Sequence, residues 1–458
     1  MYPPLQYLFA TSLVRAMKPK IKITRLFSLA LLICQLGCVE LDEPSSDSAM
    51  ENLSECTEES NSSEEQSFIV NSLGRSANPT ISNRLTVVGA GLSAGLGQDR
   101  CIKIIFFDGS KGELVYLSCT RTDCSENEKV QLEIQPPDGF TFEDGFGLFP
   151  DMSIGTDGRT RFAFNFNERS QIALATCSDL QCSSAKAVLI DSNRGKEDFG
   201  FSRKALILGK DNHPILAYGM YNRQSDLLKL SICSDAECTS KHQKVILQAS
   251  YPSRIGGFDV TVLESGRPIL TYVLDEELWI FSCSDTLCSS GTHRRIDSTS
   301  SSFIEPSIQL SSKNTPVIAY DIGEGNFEID GQGQEYRLAR CADPGCLNVS
   351  IQALWAEESP SSDDTVAYWS IDRLTFVLDN LDRPIISYSK SSEYGRDELW
   401  LIVCEQSDCG NVSSTKVREN ASADLLQQEI SVSPDGDIFL TFYEFLNDIQ
   451  VAFLGALN

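Results

Sequence analysis

The cysteines are the residues whose spacing points most directly to chemistry. The chain has 458 residues and 16 Cys, and six pairs of cysteines are each separated by four residues. These pairs are Cys119 with Cys124, Cys177 with Cys182, Cys233 with Cys238, Cys283 with Cys288, Cys341 with Cys346, and Cys404 with Cys409. Zinc would need four ligands at one place, whereas the pairs lie in separate segments and the chain has only 3 His. We therefore predict six local disulfides, formed in an oxidising compartment.

Oxygen-rich and titratable side chains give weaker signals. The segment Asp321–Asp330 could offer oxygen ligands to Ca²⁺, but it lacks the spacing of an EF-hand, and a solvated loop is the favoured interpretation. The histidines lie at a turn or after a cysteine pair, so none is placed like a general base. They are His213, His242 and His293. We predict no metal site, no cofactor and no catalytic residue.

The N-terminal segment has the layout of an export signal. After Met17, basic residues precede the apolar run Leu26–Cys34, which is too short to span a bilayer as a helix. The following Gln35–Cys38 resembles the lipobox of bacterial lipoproteins, in which cleavage precedes a cysteine that receives lipid. We predict a signal peptide over residues 1–37, with Met17 as the true start, and a lipidated Cys38. Ordinary secretion with cleavage nearby is the alternative.

Residues 38–83 are predicted to form a disordered tether. Between Val39 and Ser67 the chain has ten acidic residues and no Lys or Arg, so it has too little apolar surface to repay the entropy of folding. Cys56 in this tether and Cys101 remain outside the six pairs, and a bond between them would pin the tether to the folded part. The formal charge of −26 disfavours nucleic acid and anionic membrane surfaces as partners.

A short motif recurs seven times in the rest of the chain. The four strong copies read PILAY, PILTY, PVIAY and PIISY, and the weaker ones share their apolar character. The copies are Cys101–Ile105, Thr160–Phe164, Pro214–Tyr218, Pro268–Tyr272, Pro316–Tyr320, Pro384–Tyr388 and Ile438–Phe442. An apolar alternation and then a turn precede each copy. After the copy comes another apolar alternation, which in six units ends at the first cysteine of a pair. A fourth short segment follows in most units. We call the four predicted strands A, B, C and D in chain order, and the motif is strand B.

Four-stranded units at this spacing are typical of a β-propeller, whose blades bury their faces only against neighbouring blades. We therefore predict an all-β fold, a seven-bladed β-propeller of four-stranded antiparallel blades over residues 84–458. The last unit supplies only strands A, B and C. We predict that Arg84–Val88 provides its outer strand, which closes the ring with an N-terminal strand in the last blade.

The proline-led strand followed by a Cys-x4-Cys hairpin resembles the repeats of bacterial secreted and lipoprotein β-propellers, which are distantly similar to the sialidase-type repeat superfamily. The chain departs from true sialidases because their Asp-box, Ser-x-Asp-x-Gly-x-Thr-Trp, is absent; Ser433–Gly436 only approaches it. A sialidase would also need an arginine cluster, a Tyr nucleophile with a Glu partner and an acidic Asp, and no spacing singles out such a set. The resemblance implies the fold and an exported location, not an activity.

The two faces of such a ring differ in their connections. The A–B and C–D connections form one face, which we call the turn face, and they are short and uniform. The B–C and D–A connections form the variable face, which includes the long segments Asp321–Glu335, Pro136–Pro150 and Trp355–Ser370. Because binding residues favour loops on a rigid scaffold, we predict ligand binding on the variable face. The candidate residues are Phe140, Phe142, Phe146, Tyr368 and Trp369.

These observations favour a cell-envelope-tethered binding or scaffold module that recognises a protein or glycan through the variable face. It would be an exported monomer, held by its lipid at the outer membrane or cell surface; a periplasmic or secreted protein is the alternative. A glycan-cleaving hydrolase or lyase of the same fold is the rival function, and a structural envelope protein is the third. The sequence leaves open whether the protein is an enzyme.

Overall fold

Each repeated unit folds into its own β-sheet. The computed structural model describes residues 69–72, 91–108, 113–121, 124–141, 147–166, 171–192, 200–221, 224–298, 306–322, 335–356, 374–391, 397–419, 425–444 and 448–454. The chain divides into two units, Met1–Asn52 and Leu53–Asn458, and all described residues belong to the second. The regular elements among them are β-strands, and none of the described segments forms a helix long and apolar enough to cross a membrane.

The described strands form seven sheets, which we number in chain order of their inner strands. The first strand, β1 (Ile69–Ser72), belongs to sheet 7. Sheet 1 consists of β2 (Leu92–Leu96), β3 (Ile102–Asp108), β4 (Glu113–Cys119) and β5 (Asn127–Gln131). Sheet 2 consists of β6 (Glu133–Gln135), β7 (Leu148–Ile154), β8 (Thr160–Phe166), β9 (Gln171–Cys177) and β10 (Ser184–Ser192). Sheet 3 consists of β11 (Gly200–Leu208), β12 (Pro214–Tyr221), β13 (Ser225–Cys233) and β14 (Lys241–Ser250).

The remaining sheets follow the same order of strands. Sheet 4 consists of β15 (Ile255–Val262), β16 (Pro268–Leu274), β17 (Glu277–Cys283) and β18 (Gly291–Ser298). Sheet 5 consists of β19 (Ser307–Leu310), β20 (Pro316–Ile322), β21 (Glu335–Cys341) and β22 (Val349–Ala356). Sheet 6 consists of β23 (Thr375–Leu378), β24 (Pro384–Ser391), β25 (Asp397–Cys404) and β26 (Val412–Glu419). Sheet 7 adds β27 (Leu425–Val432), β28 (Ile438–Glu444) and β29 (Asp448–Leu454) to β1.

The motif forms the second strand of each sheet. Pro214 and Pro268 are the first residues of their strands, where the missing proline N–H costs the ladder no hydrogen bond. In the first sheet the copy is one residue later than predicted. Phe106, not Ile105, is equivalent to Tyr272 of sheet 4. Both Phe106 and Tyr272 pair with the residue that lies four positions before the first cysteine of their own unit. The matching segment is therefore Ile102–Phe106.

The core lies between neighbouring sheets. One buried cluster joins Ala217 and Leu230 of sheet 3 to Leu270 and Tyr272 of sheet 4, and the other clusters likewise join adjacent sheets. The inner strands contact one another in the order β2, β7, β11, β15, β19, β23 and β27, and β27 contacts β2. The predicted all-β propeller of four-stranded antiparallel blades is confirmed at this level, with one departure. Sheet 2 has a fifth strand, because β6 pairs parallel to the outer strand β10.

The strand that pairs with β29 differs from the predicted one. β1 lies antiparallel to β29, with Ile69 opposite Phe453. Arg84–Val88, which we predicted for this position, lies outside the described residues. The prediction was wrong about which segment occupies this place, because the edge of β29 is paired through backbone groups, which many short extended segments can offer.

The six predicted disulfides are present in the structure. The bonds join Cys119 to Cys124, Cys177 to Cys182, Cys233 to Cys238, Cys283 to Cys288, Cys341 to Cys346, and Cys404 to Cys409. In each pair the Cα atoms are 4.7–4.9 Å apart, and the first cysteine ends the third strand of its four-stranded unit. Cys101 is also disulfide-bonded. Its predicted partner, Cys56, lies outside the described residues, so that pairing stays a prediction.

The second cysteine of each pair lies in the C–D loop, so each bond closes a short local loop as predicted. It precedes the fourth strand instead of lying within it, and its φ is between 52° and 59°, in the left-handed region. The cause is a tight turn, because its backbone N–H donates to the carbonyl three residues earlier at 2.9–3.3 Å. The six residues with this conformation are Cys124, Cys182, Cys238, Cys288, Cys346 and Cys409, and all of them are buried.

Candidate functional site: the central channel and its mouth

The inner strand of each sheet contributes one residue at the same position of the ladder, and these residues line one cavity, which we call the central channel. Asp151 lies opposite Ala163, and Asp259 lies opposite Thr271, one residue before Tyr272 of the motif. The seven residues at this step, which we call the channel ring, are Ser93, Asp151, Ala205, Asp259, Ser307, Thr375 and Glu429. All of them line one cavity with a volume of about 210 Å³.

Polar residues of the channel ring also connect neighbouring sheets. An inner strand is a sheet edge, so backbone N–H groups on its channel side have no partner in their own ladder and need another acceptor. The Asp151 carboxylate accepts a hydrogen bond from the backbone N–H of Leu206 at 2.9 Å. Asp259 does the same for Ile308 at 2.9 Å, and the hydroxyl of Ser93 accepts from Met152 at 3.1 Å. These side chains therefore fix the spacing of adjacent inner strands.

The channel ring carries three carboxylates, from Asp151, Asp259 and Glu429, and the cavity has no arginine among its described lining residues. The arginine cluster that a sialidase needs is thus not assembled by the described part of the wall. A carboxylate that faces a cavity can act as a general acid or base. These three residues are therefore the described groups at the axis with chemistry suited to bond cleavage.

The backbone at the start of β7 is held in a strained conformation beside the channel. Phe149 has φ of 52°, a left-handed value that is costly for an aromatic residue. The ammonium group of Lys204, which is buried, donates a hydrogen bond to the Phe149 carbonyl. A Cβ at Gly91 would lie 2.2 Å from Cδ of Pro150, so only glycine allows this approach between sheets 1 and 2. Neighbouring sheets therefore enforce the conformation of Phe149, next to Asp151 of the channel ring.

The structure describes only one of the five aromatic residues predicted to bind ligand. Phe140 is half-buried and packs edge-on against Phe166, with ring centres 6.1 Å apart, so it contributes to the core near sheet 2 rather than presenting a free ring. Phe142, Phe146, Tyr368 and Trp369 lie outside the described residues, and their role stays a prediction. Nearly all of the acidic segment that follows Asp321 also lies outside them. Asp321 itself is buried.

The disulfide residues lie apart from the channel ring. None of the twelve cysteines is among the described residues that line the cavity, and each pair is confined to the hairpin of its own sheet. The left-handed second cysteines, Cys124, Cys182, Cys238, Cys288, Cys346 and Cys409, end the tight turns of the C–D loops. The cysteines therefore stabilise the sheets locally and take no part in the candidate site.

Sequence reasoning missed the channel ring. Its members differ in residue type from sheet to sheet, so they do not appear in a comparison of the motif itself. The sequence nevertheless contained a usable signal. The strands A of different units can be aligned with one another by their distance from the motif that follows each of them. That alignment places Asp151, Asp259 and Glu429 at one position. No sequence pattern singled out Tyr251, which is 69% exposed on the variable face.

On the turn face, hydrogen bonds and an ion pair connect neighbouring sheets. In three pairs of neighbouring A–B turns, a side-chain oxygen from the later turn accepts a hydrogen bond from a backbone N–H of the earlier one, at 2.7–2.9 Å. The pairs are Thr156/Asn212, Glu264/Asn314 and Ser312/Asp382. Arg100 of sheet 1 forms an ion pair with Asp435 of sheet 7. These contacts link neighbouring sheets and give the turn face a structural role.

Aspartates in the C–D loops cap the disulfide hairpins. The backbone N–H of Ser289 donates to Asp285 at 3.0 Å, and this bond, with others in the loop, holds the pKa of the Asp285 carboxyl below its usual range. Asp343 is held in the same way, chiefly by the backbone N–H of Leu347. Hydrogen bonding to the ionised form lowers a carboxyl pKa. The ionised carboxylates of Asp285 and Asp343 therefore have a structural role in their loops. Their perturbation needs no catalytic explanation.

The comparisons with known proteins agree with this architecture. No family model matches the chain, and no curated protein matches its sequence. A ulvan lyase from a new polysaccharide lyase family, PL25, has a similar structure with a TM-score of 0.50 and 10% identity, over 80% of this chain and 94% of that one. The NanB sialidase of Streptococcus pneumoniae gives a TM-score of 0.48 and 8% identity, over 77% of this chain and 83% of that one. At such identities the likeness to the ulvan lyase shows the fold alone.

Proposed function

We propose that this chain is an exported enzyme that cleaves a glycan at the mouth of its central channel, on the variable face. The observation that carries the proposal is the channel ring, in which Asp151, Asp259 and Glu429 bring three carboxylates from three sheets to one cavity. Cleavage of a glycosidic linkage by hydrolysis uses a pair of carboxyl groups, and cleavage by elimination needs a general base. The ulvan lyase of similar structure is a polysaccharide lyase, so cleavage of a polysaccharide is the first activity to test.

The proposal treats the seven sheets as seven blades of one closed ring. Two observations support this arrangement. The inner strands contact one another in sequence and the last returns to the first, and sheet 7 combines the N-terminal β1 with three C-terminal strands. A closed ring would hold the channel ring residues at fixed separations, which a reaction requires of its acid and base groups.

We further propose that the protein works outside the cytoplasm as a monomer tethered by lipid on Cys38, at the outer membrane or cell surface. The six disulfides support an oxidising location, since such bonds rarely persist among reduced cytosolic thiols. Residues 1–37 would be the signal peptide and the acidic segment after Cys38 the tether. Mass spectrometry of the N-terminal peptide from the mature protein tests the lipid, because an unmodified Cys38 excludes the anchor.

A binding module that acts through the same face is the second candidate function. It is favoured by one observation: the carboxylates of Asp151 and Asp259 accept hydrogen bonds from the backbone of the neighbouring sheets. Those bonds give both residues a structural task that does not depend on a reaction. In this alternative the channel mouth would hold a glycan without breaking it.

One experiment separates these functions. The purified protein is incubated with a panel of neutral and acidic polysaccharides, ulvan included, and the products are followed in three ways. A lyase yields unsaturated sugars that absorb ultraviolet light, a hydrolase yields reducing ends without that absorbance, and a binding module retains a polysaccharide while yielding neither. Glu429→Gln should lower product formation at least about a hundredfold, whereas Leu381→Ala on the turn face should not. Retention of a polysaccharide with no product from any member of the panel would refute the enzyme.

A further inference from the structure

The loop between sheets 3 and 4 presents an aromatic ring on the variable face. Six large hydrophobic side chains of the described chain are exposed, and Tyr251, at 69%, is the aromatic one among them. An exposed apolar side chain alone is common on protein surfaces and carries no inference. Tyr251 differs because the loop that carries it, Tyr251–Arg254, is fixed by hydrogen bonds from three sides.

These hydrogen bonds hold the loop to β13 and to the B–C turn of sheet 4. The backbone N–H of Tyr251 donates to the Gln224 carbonyl at 2.8 Å. The Asp275 carboxylate accepts from the Ser253 hydroxyl at 2.8 Å and from the Arg254 backbone N–H at 3.1 Å. The Asp226 carboxylate accepts from the Ile255 backbone N–H at 3.2 Å. A loop whose backbone is held in this way loses little conformational entropy when a ligand packs against the ring it carries.

Arg254 supplies polar groups beside the ring. Its guanidinium carbon lies 5.7 Å from the centre of the Tyr251 ring, and its Nη1 lies 2.9 Å from the Asp226 carboxylate. The Arg254 side chain is 48% exposed, so the guanidinium is oriented and yet within reach of solvent. The exposed Asp275 and Glu276 lie in the adjacent turn. The loop thus combines a flat apolar face with donors and acceptors around it.

That combination matches the surface of a neutral sugar. One face of a pyranose ring consists largely of C–H groups, which pack on an aromatic ring, while its rim of hydroxyls both donates and accepts hydrogen bonds. An acidic sugar fits less well. The positive charge of Arg254 is already balanced by Asp226, and the carboxylates of Asp275 and Glu276 would repel a second anion, as would the formal charge of −26.

The position of the loop relates it to the channel. β15 begins at Ile255, directly after Arg254, and leads to Asp259 of the channel ring. At about 3.3 Å per residue, Arg254 and Asp259 are separated by roughly 16 Å along the strand. A glycan chain that occupied the channel mouth could extend to Tyr251 within a few sugar units.

From these contacts we infer that Tyr251 and Arg254 form an outer subsite that binds a neutral stretch of glycan. The inference rests on the proposed function for its ligand class. It assigns Tyr251 the stacking surface and Arg254 the hydrogen-bond donors, and it gives neither residue a part in bond cleavage. The subsite would select neutral over acidic chains at a distance from the reacting bond.

Affinity electrophoresis of the whole protein in gels that contain dextran, laminarin, arabinan or dextran sulfate tests this subsite. We expect at least one neutral polysaccharide to retard the protein and Tyr251→Ala to weaken that retardation tenfold or more, whereas Tyr251→Phe keeps it because the ring remains. Leu381→Ala is the matched control, since Leu381 is 67% exposed on the turn face. Equal retardation of the Tyr251→Ala variant, retardation by dextran sulfate alone or retardation by none of the gels would overturn the inference.

Product assays on the same variants keep this test distinct from that of the enzyme. Retardation that depends on Tyr251, with no product from any polysaccharide, would leave the subsite standing and remove the proposed cleavage. Product formation whose KM is the same with and without the Tyr251 ring would leave cleavage standing and remove the subsite. Thermal melts of Tyr251→Ala should match the unsubstituted protein, because an exposed side chain contributes little to the core.

Discussion

The ammonium group of Lys229 lies 2.7 Å from the carboxylate of Asp191, across the boundary between sheets 3 and 2. The Tyr218 hydroxyl donates to the same carboxylate oxygen at 2.8 Å, and Lys229 is the residue opposite Tyr218 in the ladder. Burial, together with the neighbouring Asp191 carboxylate, raises the pKa of Tyr218. The tyrosine that ends the motif therefore stays protonated and joins two sheets through one acidic residue.

The boundary between sheets 4 and 5 repeats this arrangement. Arg337, opposite Tyr320 in the ladder, lies 2.8 Å from the Asp297 carboxylate, and the Tyr320 hydroxyl donates to Asp297 at 2.7 Å. At the boundary between sheets 3 and 4, the corresponding residues are apolar. There Leu247 and Trp279 pack against the core cluster that includes the motif tyrosine, Tyr272.

At two of these boundaries an acid on one sheet thus pairs with a base on the next, and at the third both positions are apolar and pack against one core cluster. A mismatch would bury a charge without its partner, which costs more than the pair itself contributes. At these three boundaries, the matching adds a specific contact to the general packing of apolar faces.

The first prediction tests this matching. Asp191→Leu should lower the free energy of unfolding by about 1–3 kcal/mol, because the Lys229 ammonium and the Tyr218 hydroxyl lose their acceptor. The double variant Asp191→Leu with Lys229→Trp should recover most of that loss, since it copies the Leu247/Trp279 boundary. Urea denaturation measures both values. A double variant less stable than the single one would contradict the matching.

The second prediction concerns the turn face. Asn212 has φ of 59°, and its side-chain oxygen accepts from the Thr156 backbone N–H at 2.7 Å. Asn212→Ala should cost about 1–2 kcal/mol, since it loses the hydrogen bond and strains the left-handed backbone. Asn212→Gly should cost less, because glycine removes the bond but accepts that φ without strain. Thermal melts of the two variants give the order, and a glycine variant as unstable as the alanine one would show that the backbone conformation contributes nothing.

The repeats made the fold predictable from sequence, and the reason is local. A proline-led strand, a turn and a cysteine hairpin are each specified within a few residues, so the strand assignment and all six disulfides follow from short segments. The pairing of β1 with β29 joins residues at opposite ends of the chain and depends on backbone groups, which carry no sequence signature. Arg84–Val88 directly precedes strand A of the first unit, and this position in the sequence predicted the wrong segment.

The candidate site was less predictable for a different reason. Asp151 and Glu429 come together only through the register of separate sheets, and no motif within one strand indicates their common position. Exposure of a loop aromatic is equally hard to read from sequence. Phe140 was expected to face a ligand but packs on Phe166, whereas Tyr251 is exposed because its loop is fixed by carboxylates from other segments.

The third prediction addresses the outer strand of sheet 7. A chain that begins at Arg75 lacks β1 and should melt several degrees below a chain that begins at Gln66, because β29 loses its antiparallel partner. Each lost hydrogen bond is worth about 0.5–1.5 kcal/mol before the entropy of ordering β1 is subtracted. Both chains lack Cys56, so the effect of removing the predicted partner of Cys101 is the same in each. Identical melting temperatures would show that β1 adds no stability.

The fourth prediction is a pH dependence that arises in the C–D loops. Asp285 and Asp343 have carboxyl pKa values lowered in the folded state, chiefly by backbone N–H donors. A lowered folded pKa means that the unfolded chain binds protons first, so the stabilisation is complete above an unfolded pKa of about 4 and is lost as the pH falls through the folded values. Melting temperatures should therefore drop below about pH 4. The double variant Asp285→Asn with Asp343→Asn should show a shallower decline, and an unchanged slope would assign the acid sensitivity to other groups.

The last prediction separates the structural and chemical roles of the channel ring. Asp259→Ala should lower the free energy of unfolding by about 1–3 kcal/mol, because the Ile308 N–H and the Ser307 hydroxyl lose their acceptor. Asp259→Asn keeps an oxygen at that place, so it should cost less. Glu429→Gln preserves the shape of the side chain and removes its charge, so its thermal melt separates a loss of stability from a loss of activity.

The activity of the same variants gives the second half of this prediction. If Glu429 transfers a proton during glycan cleavage, Glu429→Gln should lower kcat about 10²–10⁴-fold with little change in KM, since it removes an interaction made in the transition state rather than in substrate binding. Asp259→Asn then distinguishes a second reacting carboxylate from a purely structural one, because it keeps the hydrogen bond to Ile308 and removes the charge. A comparable fall in kcat for Asp259→Asn would mark a pair of acting carboxylates. A Glu429→Gln variant with full kcat would exclude Glu429 from the chemistry and leave it as part of the channel wall.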